Sequence, residues 1–433
     1  MNFSMLHPAD QIVMIMNRLY SYQMTTTSGG NLSIMDDEGV MWISPSGIDK
    51  GNLHASDIMR VMPDGTIIGP HKPSSEYPFH LAIYRARPEL RAVLHAHPPA
   101  LVAFSLIREI PATNILPNCK ALCPRVSMAK YAVPGSVELG ENIAEEFKKD
   151  YDIVMLENHG VVIGADDLFS AFMSFETLDY AARIQINAHS IAGNAQIRAI
   201  SDKHLDIYAE KNAERQIDRF VPAYHTSEEL AARKEMCALI HRAYDNNLFT
   251  SSQGAFSRRL SDGSFIITPH DKDRKYLEPE DLVLFKNGLA EFGKEPSHSF
   301  PLHRAIYENS KDINSVILAE PPYIMAFAIT DVPFDARLIP ESYIMLKNVR
   351  KFPFGSSFMQ PDMLARELSM KEPIAIIEND CVIACGTSLL NAFDRLEVME
   401  YSARAVVDTI KLGREIVAIS PEEIHDIEVA FKL

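Results

Sequence analysis

At 433 residues the chain is too long for one ordinary core, so two domains are expected. Charged residues make up 23% and hydrophobic residues 47%, a globular composition, and 42 Lys+Arg against 58 Asp+Glu leave a net charge of −16, which argues against nucleic acid or an anionic membrane as partner. The first residues carry no basic signal-peptide region, no run approaches ~20 apolar residues, and five sparse cysteines fit reduced thiols, so a cytoplasmic location is expected.

Apolar residues at helical spacing (Ile12, Ile15, Met16, Leu19) predict a helix over 8–23. A small-residue turn runs from Thr25 through Gly29-Gly30 to Asn31. Leu32-Ser33-Ile34 and Val40 to Ser44, joined at 36–39, read as a hairpin. The loop Ser44-Pro45-Ser46-Gly47 follows, and a second short strand pair brackets Pro63-Asp64-Gly65. Pro73-Ser74-Ser75-Glu76 opens a helix to about Arg87. Leu90 to His97 reads as a strand, stopped by Pro98-Pro99 because proline cannot donate to a ladder. An irregular stretch follows, with prolines at 111, 117, 124 and 134. Then come a helix from near Glu138, a buried strand over 153–156 ending in Glu157-Asn158-His159-Gly160, and a long helix from about Leu168.

The pattern then repeats in order. Pro73 matches Pro296 and Val93 matches Val316, both 223 residues on, while Glu157-Asn158 and Tyr180 match Glu378-Asn379 and Tyr401, both 221 on. A tandem duplication is expected: one copy over 1–192, a linker over 193–225 holding a helix before Pro222, and a second copy over 226–433. The second copy starts at a helix N-cap near Thr226.

Residues two apart in a strand share a face, so His95 and His97 point the same way and offer half of a divalent metal site. His159 supplies a third imidazole. Three neutral imidazoles leave a tetrahedral zinc ion an open position, from which it polarises a carbonyl. Glu76 stands at a helix start, within reach as base or as a fourth ligand. Ser74, Ser75 and the helix-start amides favour an anion, and Asn31, Ser46 and Gly47 sit in turns that admit a phosphate. In the second copy His95, His97 and His159 become Leu318, Glu320 and Asp380. Glu76 becomes Ser299, Asn31 becomes Ala255, and Ser46-Gly47 becomes His270-Asp271, where the aspartate would repel a phosphate. His80 and Tyr84 recur as His303 and Tyr307, which assigns His80 to the scaffold. Selection for folding without selection for chemistry points to an interface role for the second copy.

Gly29-Gly30-Asn31-Leu32-Ser33, Ser44-Pro45-Ser46-Gly47, Pro73-Ser74-Ser75-Glu76, His95-Ala96-His97-Pro98 and Asn158-His159-Gly160 together resemble the class II aldolase/adducin family, over about residues 8–190. The resemblance implies a three-layer α/β/α fold around a mainly antiparallel sheet, present twice. It implies one Zn²⁺ per chain on His95, His97 and His159, and phosphate contacts from Asn31, Ser46, Gly47, Ser74 and Ser75. Glu76 would be the acid/base of a lyase acting on a small sugar phosphate through a metal-stabilised enediolate. It also implies sites between neighbouring domains in a four-fold ring, which two tandem chains would fill as a dimeric pseudo-tetramer. Aldolases of the family carry a tyrosine where this chain reads Thr113-Asn114-Ile115-Leu116. A decarboxylase or dehydratase of the same family therefore stays open, as does a non-catalytic adducin-like scaffold.

Overall fold

The computed structural model describes residues 3–192, 196–213, 217–270 and 272–432. Asp271, expected to repel a phosphate, lies outside the described residues. The chain divides into two compact units: Met1–Thr113 with Asn118–Arg183, and Asn114–Pro117 with Ile184–Leu433.

The first unit opens with α1 (Pro8–Ser21), where Pro8 occupies the first turn and the His7 ring accepts from the Ala9 amide. Proline fits there because that amide would have no helical partner. Strands β1 (Asn31–Met35), β2 (Met41–Ile43), β3 (Met59–Val61) and β4 (Ile67–Ile68) precede α2 (Tyr77–Ala86) and β5 (Ala92–Ala96). Then follow α3 (Pro99–Leu106), α4 (Pro117–Leu122), β6 (Val126–Ala129), α5 (Val137–Phe147), β7 (Ile153–Leu156), β8 (Gly160–Ala165) and α6 (Leu168–Ala192). The eight strands form one sheet in the order β4-β3-β2-β1-β5-β8-β7-β6. It is mixed: β6 and β7 pair in parallel at one edge, and the remaining pairs run antiparallel. A parallel pair needs a crossover, which α5 provides.

Helices α2 and α5 cover one face of this sheet. Phe79 and Ile83 of α2 and Leu139, Ile143 and Phe147 of α5 interlock with Ile43, Val61, Val93, Val154 and Val162. Because Val93 faces α2, the alternation of β5 turns His95 the same way. The start of α2 therefore lies over the end of β5.

The second unit contains α7 (Asp202–Lys211), β9 (Arg219–Phe220), α8 (Ser227–Asp245), β10 (Ala255–Arg259), β11 (Phe265–Ile267), β12 (Val283–Lys286) and β13 (Leu289–Glu291). It continues through α9 (Phe300–Asn309), β14 (Ser315–Ala319), α10 (Ile324–Ala328), α11 (Pro340–Leu346), β15 (Arg350–Phe352), α12 (Pro361–Glu367), β16 (Ile374–Ile377), β17 (Val382–Gly386), α13 (Leu389–Lys411) and α14 (Pro421–Phe431). Its sheet order, β15-β16-β17-β14-β10-β11-β12-β13-β9, repeats that of the first unit with β9 added in parallel beside β13. The stretch 193–225, expected as a linker, thus contributes a helix and an edge strand to this unit. Thr226 caps α8, its hydroxyl accepting from the Glu229 amide.

Two further features differ from the sequence-based expectation. The stretch read as irregular holds α3, α4 and β6, because Pro99 and Pro117 each stand at the first position of a helix rather than interrupting one. After His159 the chain forms β8, paired antiparallel with both β7 and β5. Asn158 makes the hairpin turn with φ +55, a left-handed conformation that asparagine tolerates. No helix of the described residues is long and apolar enough to cross a membrane.

Candidate metal centre

His95 is the penultimate residue of β5, paired with Asn31 on one side and Val162 on the other. His97 follows directly after the strand, and His159 lies in the β7–β8 turn. One ring nitrogen from each of the three lies within 4.8 Å of the others. His95 Nε2 and His97 Nε2 are 2.9 Å apart, and the His97 and His159 rings are stacked with centroids 4.8 Å apart. Small residues permit this approach. A Cβ on Gly30, whose φ is +71, would meet the His95 carbonyl at 2.9 Å, and one on Gly160 would meet the Ala96 carbonyl at 2.6 Å and the His97 ring at 2.7 Å.

The electrostatics fit a cation. A carbonyl only accepts, so His95 Nδ1 donates to Val161 O at 2.9 Å and Nε2 presents a lone pair. Burial, and then the neighbouring His159, push the His95 imidazole well below its ordinary value. Burial with the adjacent His95 and His159 takes His97 to about 3, and burial lowers His159 despite the Glu76 charge. All three are neutral at pH 7. The Glu76 carboxylate joins them, Oε2 lying 3.3 Å from His95 Nε2 and Oε1 3.8 Å from His159 Nε2. With neutral rings these are not ion pairs, and at the His95 contact a ring lone pair faces the carboxylate oxygen. Glu76 is 8% exposed, and its Oε1 has no hydrogen-bond partner among the described residues. Ligand nitrogens around tetrahedral zinc stand about 3.3–3.4 Å apart for Zn–N bonds of about 2.0–2.1 Å. The donor set and its spacing fit a divalent ion, and among the described residues this is the one group of three or more such side chains.

The expected phosphate residues fall around Glu76. Pro45 bridges Pro73, Ser46 N donates to Lys72 O, and Ser74 N donates to Ser44 O. These bonds align the 44–47 loop with the approach to α2. Gly47 is exposed with φ +68 and open space around its Cα. Ser75 is exposed, while Ser74 is buried and its Oγ accepts from the Glu76 amide at 3.3 Å. The amides expected to favour an anion are largely taken. Tyr77 N donates to Ser74 O, Phe79 N to Glu76 O, and Pro78 has no N–H. Asn31 is buried, and its Nδ2 donates to Glu76 Oε2 at 2.8 Å. One N–H of that amide is therefore committed to the carboxylate, not to a phosphate.

Two buried residues near this group were not placed in the candidate site by sequence, one unmarked and one assigned to the scaffold. Lys50, 2% exposed, donates to the Pro45 carbonyl beneath the 44–47 loop, and burial lowers its amine to about 8. No spacing marks a lysine as buried. His80 contacts Asn31 Oδ1 through Nε2; its position four residues after Glu76 was the available signal, outweighed by its recurrence as His303.

The second unit keeps the framework without the donors. Pro269 bridges Pro296, His270 N donates to Glu295 O, and Ser297 N donates to Thr268 O, bond for bond as in the first unit. Ala255 pairs with Leu318 where Asn31 pairs with His95. Burial and Asp380 push Glu320 up to about 8, and burial pushes Asp380 up to about 6 while Ser357 Oγ donates to it.

The model of the class II aldolase and adducin N-terminal domain matches residues 10–186 and again 234–407. Over 185 residues the chain is 35% identical to a 5-deoxy-D-ribulose 1-phosphate aldolase of Bacillus thuringiensis, an overlap of 42% of this chain and 85% of that one. It is 33% identical to an L-fuculose phosphate aldolase of Methanocaldococcus jannaschii, over 41% of this chain and 94% of that one. It is 32% identical to a 3-oxo-tetronate 4-phosphate decarboxylase of Pectobacterium atrosepticum, over 41% and 80%.

Proposed function

The chain belongs to the class II aldolase and adducin N-terminal domain family, whose domain it carries twice, and on that premise we propose that its first copy is a zinc-dependent lyase acting on a small sugar phosphate. The observation that supports this most is the cluster of three neutral imidazoles beside the buried Glu76 carboxylate, whose Oε2 lies 3.3 Å from His95 Nε2 and whose Oε1, 3.8 Å from His159 Nε2, has no hydrogen-bond partner among the described residues. His95, His97 and His159 would hold the ion. When bound, zinc supplies a Lewis acid that polarises the substrate carbonyl and steadies the negative charge developing on its oxygen.

The residues of the chain do the rest. Asn31 holds Glu76 Oε2, so Oε1 is the oxygen that exchanges a proton with the substrate. In aldol cleavage the Glu76 carboxylate would take the proton of the hydroxyl β to the carbonyl, the electron pair of the breaking carbon–carbon bond would go to the carbon beside the carbonyl, and Glu76 would return that same proton there as the aldehyde leaves. Ser46, Gly47, Ser74, Ser75 and the second N–H of Asn31 would bind the phosphate and set the distance from it to Glu76. The second copy, lacking the imidazoles, would serve assembly, and the active species would be a homo-oligomer.

A second reading keeps the same site and changes the bond. Similarity to a decarboxylase, and the absence of tyrosine over 113–116, favour loss of carbon dioxide from an acid phosphate. A screen of C4–C6 sugar and sugar-acid phosphates, with products weighed by mass spectrometry, tests both. An aldehyde product supports the first reading and carbon dioxide the second. No turnover by the zinc-loaded chain on any of them would refute the lyase assignment.

A further inference from the structure

Five side chains of the first unit form one hydrogen-bonded chain ending at Glu76, and its direction follows from donor chemistry. A carboxylate only accepts, so Glu76 Oε2 takes an N–H from Asn31 Nδ2. This turns Asn31 Oδ1 toward His80, whose Nε2 must carry the proton of that contact. A neutral, fully buried imidazole has one such proton, so Nδ1 is bare and accepts from Ser33 Oγ at 2.7 Å. Ser33 Oγ in turn accepts from the Tyr84 hydroxyl at 2.8 Å.

The second unit contains the inner part alone. Ser257 Oγ lies 2.6 Å from His303 Nδ1 and 2.6 Å from the Tyr307 hydroxyl. Ala255 and Ser299 replace Asn31 and Glu76, and His303 Nε2 is buried with no partner among the described residues. The Ser–His–Tyr cluster thus folds with no carboxylate to serve. Only the unit that carries the three imidazoles extends it outward.

We propose that His80 is a positioning residue for the acid/base: its Nε2–H orients the Asn31 amide, which fixes Glu76 Oε2 and leaves Oε1 free to act. The functional side of this inference rests on the reading of Glu76 given above; the relay itself does not. A carboxylate held by one such link moves when the link is cut, and a displacement of about 1 Å costs roughly 10²-fold in rate.

The test compares His80→Gln, His80→Asn, His303→Gln and His303→Asn in the full chain. Glutamine places an amide nitrogen near Nε2 and keeps the outer link; asparagine reaches only to the Nδ1 position and cuts it. Crystal structures of the position-80 variants should show the Asn31–Glu76 contact kept in the glutamine variant and lost in the asparagine variant. On a substrate found by the screen, His80→Asn should lower kcat by roughly 10²-fold with KM within about threefold, and His80→Gln should lose less than about tenfold. Both His303 variants should leave kcat unchanged. Equal kcat and an intact Asn31–Glu76 contact in both position-80 variants would overturn the proposal, as would an equal loss of kcat in His303→Asn. Should substitution at 80 unfold the chain, ring ¹⁵N shifts of the unmodified protein decide: the Nε2–H tautomer of His80 supports the relay and the Nδ1–H tautomer overturns it. If no sugar phosphate is turned over, the functional reading fails while the structures and the tautomer still judge the relay.

Discussion

Glu76 has one oxygen held by Asn31 and one with no hydrogen-bond partner among the described residues, and the two are proposed to do different work. Removing the charge while keeping the shape should separate binding from chemistry. Glu76→Gln is expected to retain most zinc affinity, because three imidazoles remain, and to lose about 10²–10⁴-fold in kcat. Steady-state kinetics beside metal analysis checks this, and normal turnover would remove Glu76 from the acid/base role. Ser75, exposed beside the 44–47 loop, tests the phosphate assignment. Ser75→Asp should weaken a phosphorylated substrate far more than its unphosphorylated analogue, read as the ratio of the two KM changes. At this scale the grouping of the three histidines with Glu76 was legible because residues two apart on a strand share a face and the second copy replaces all four. Asn31 was legible as a candidate, but its partner was not. Its bond to Glu76 spans 45 positions and depends on a strand register that no local pattern states.

The elements that place these side chains are the end of β5, the start of α2 and the β7–β8 hairpin. Gly160 is where β8 passes the end of β5 at close range, with the Ala96 carbonyl and the His97 ring inside the space a Cβ would need. Gly160→Ala should push the two strands apart at the site, costing about 1–3 kcal/mol of stability and most of the zinc affinity. Denaturant midpoints and metal content measure the two losses, and loss of neither would mean the close approach is not needed. The helices α1, α2 and α5 and the β1–β2 hairpin followed from periodicity and caps. Strand β8 did not, because its apolar run follows a three-residue turn that read as the end of the segment. The prolines of 98–134 read as breakers, although proline at the first position of a helix starts one.

The whole molecule is one framework used twice, with conserved loop bonds and strand order around two different centres. Offsets of 221 and 223 residues made the duplication legible, because scaffold positions repeat even where site positions change. The second centre carries a cost in stability. Glu320, ordinarily near 4.5, holds its proton in the folded chain to about 8. The unfolded chain releases that proton first, so this group's contribution to stability falls as pH rises from about 4.5 to 8 and stays low above that. Glu320→Gln should flatten that slope and raise the thermal midpoint at pH 8–9; midpoints that track the unmodified chain from pH 5 to 9 would show that the carboxyl ionises normally in the fold.

One of the two copies, and only one, is proposed to hold a metal ion. Elemental analysis of the zinc-loaded full chain after exhaustive desalting measures it directly. One zinc per chain is expected, and close to none in a folded His97→Ala variant. Two per chain, or a ratio unchanged in that variant, would contradict it.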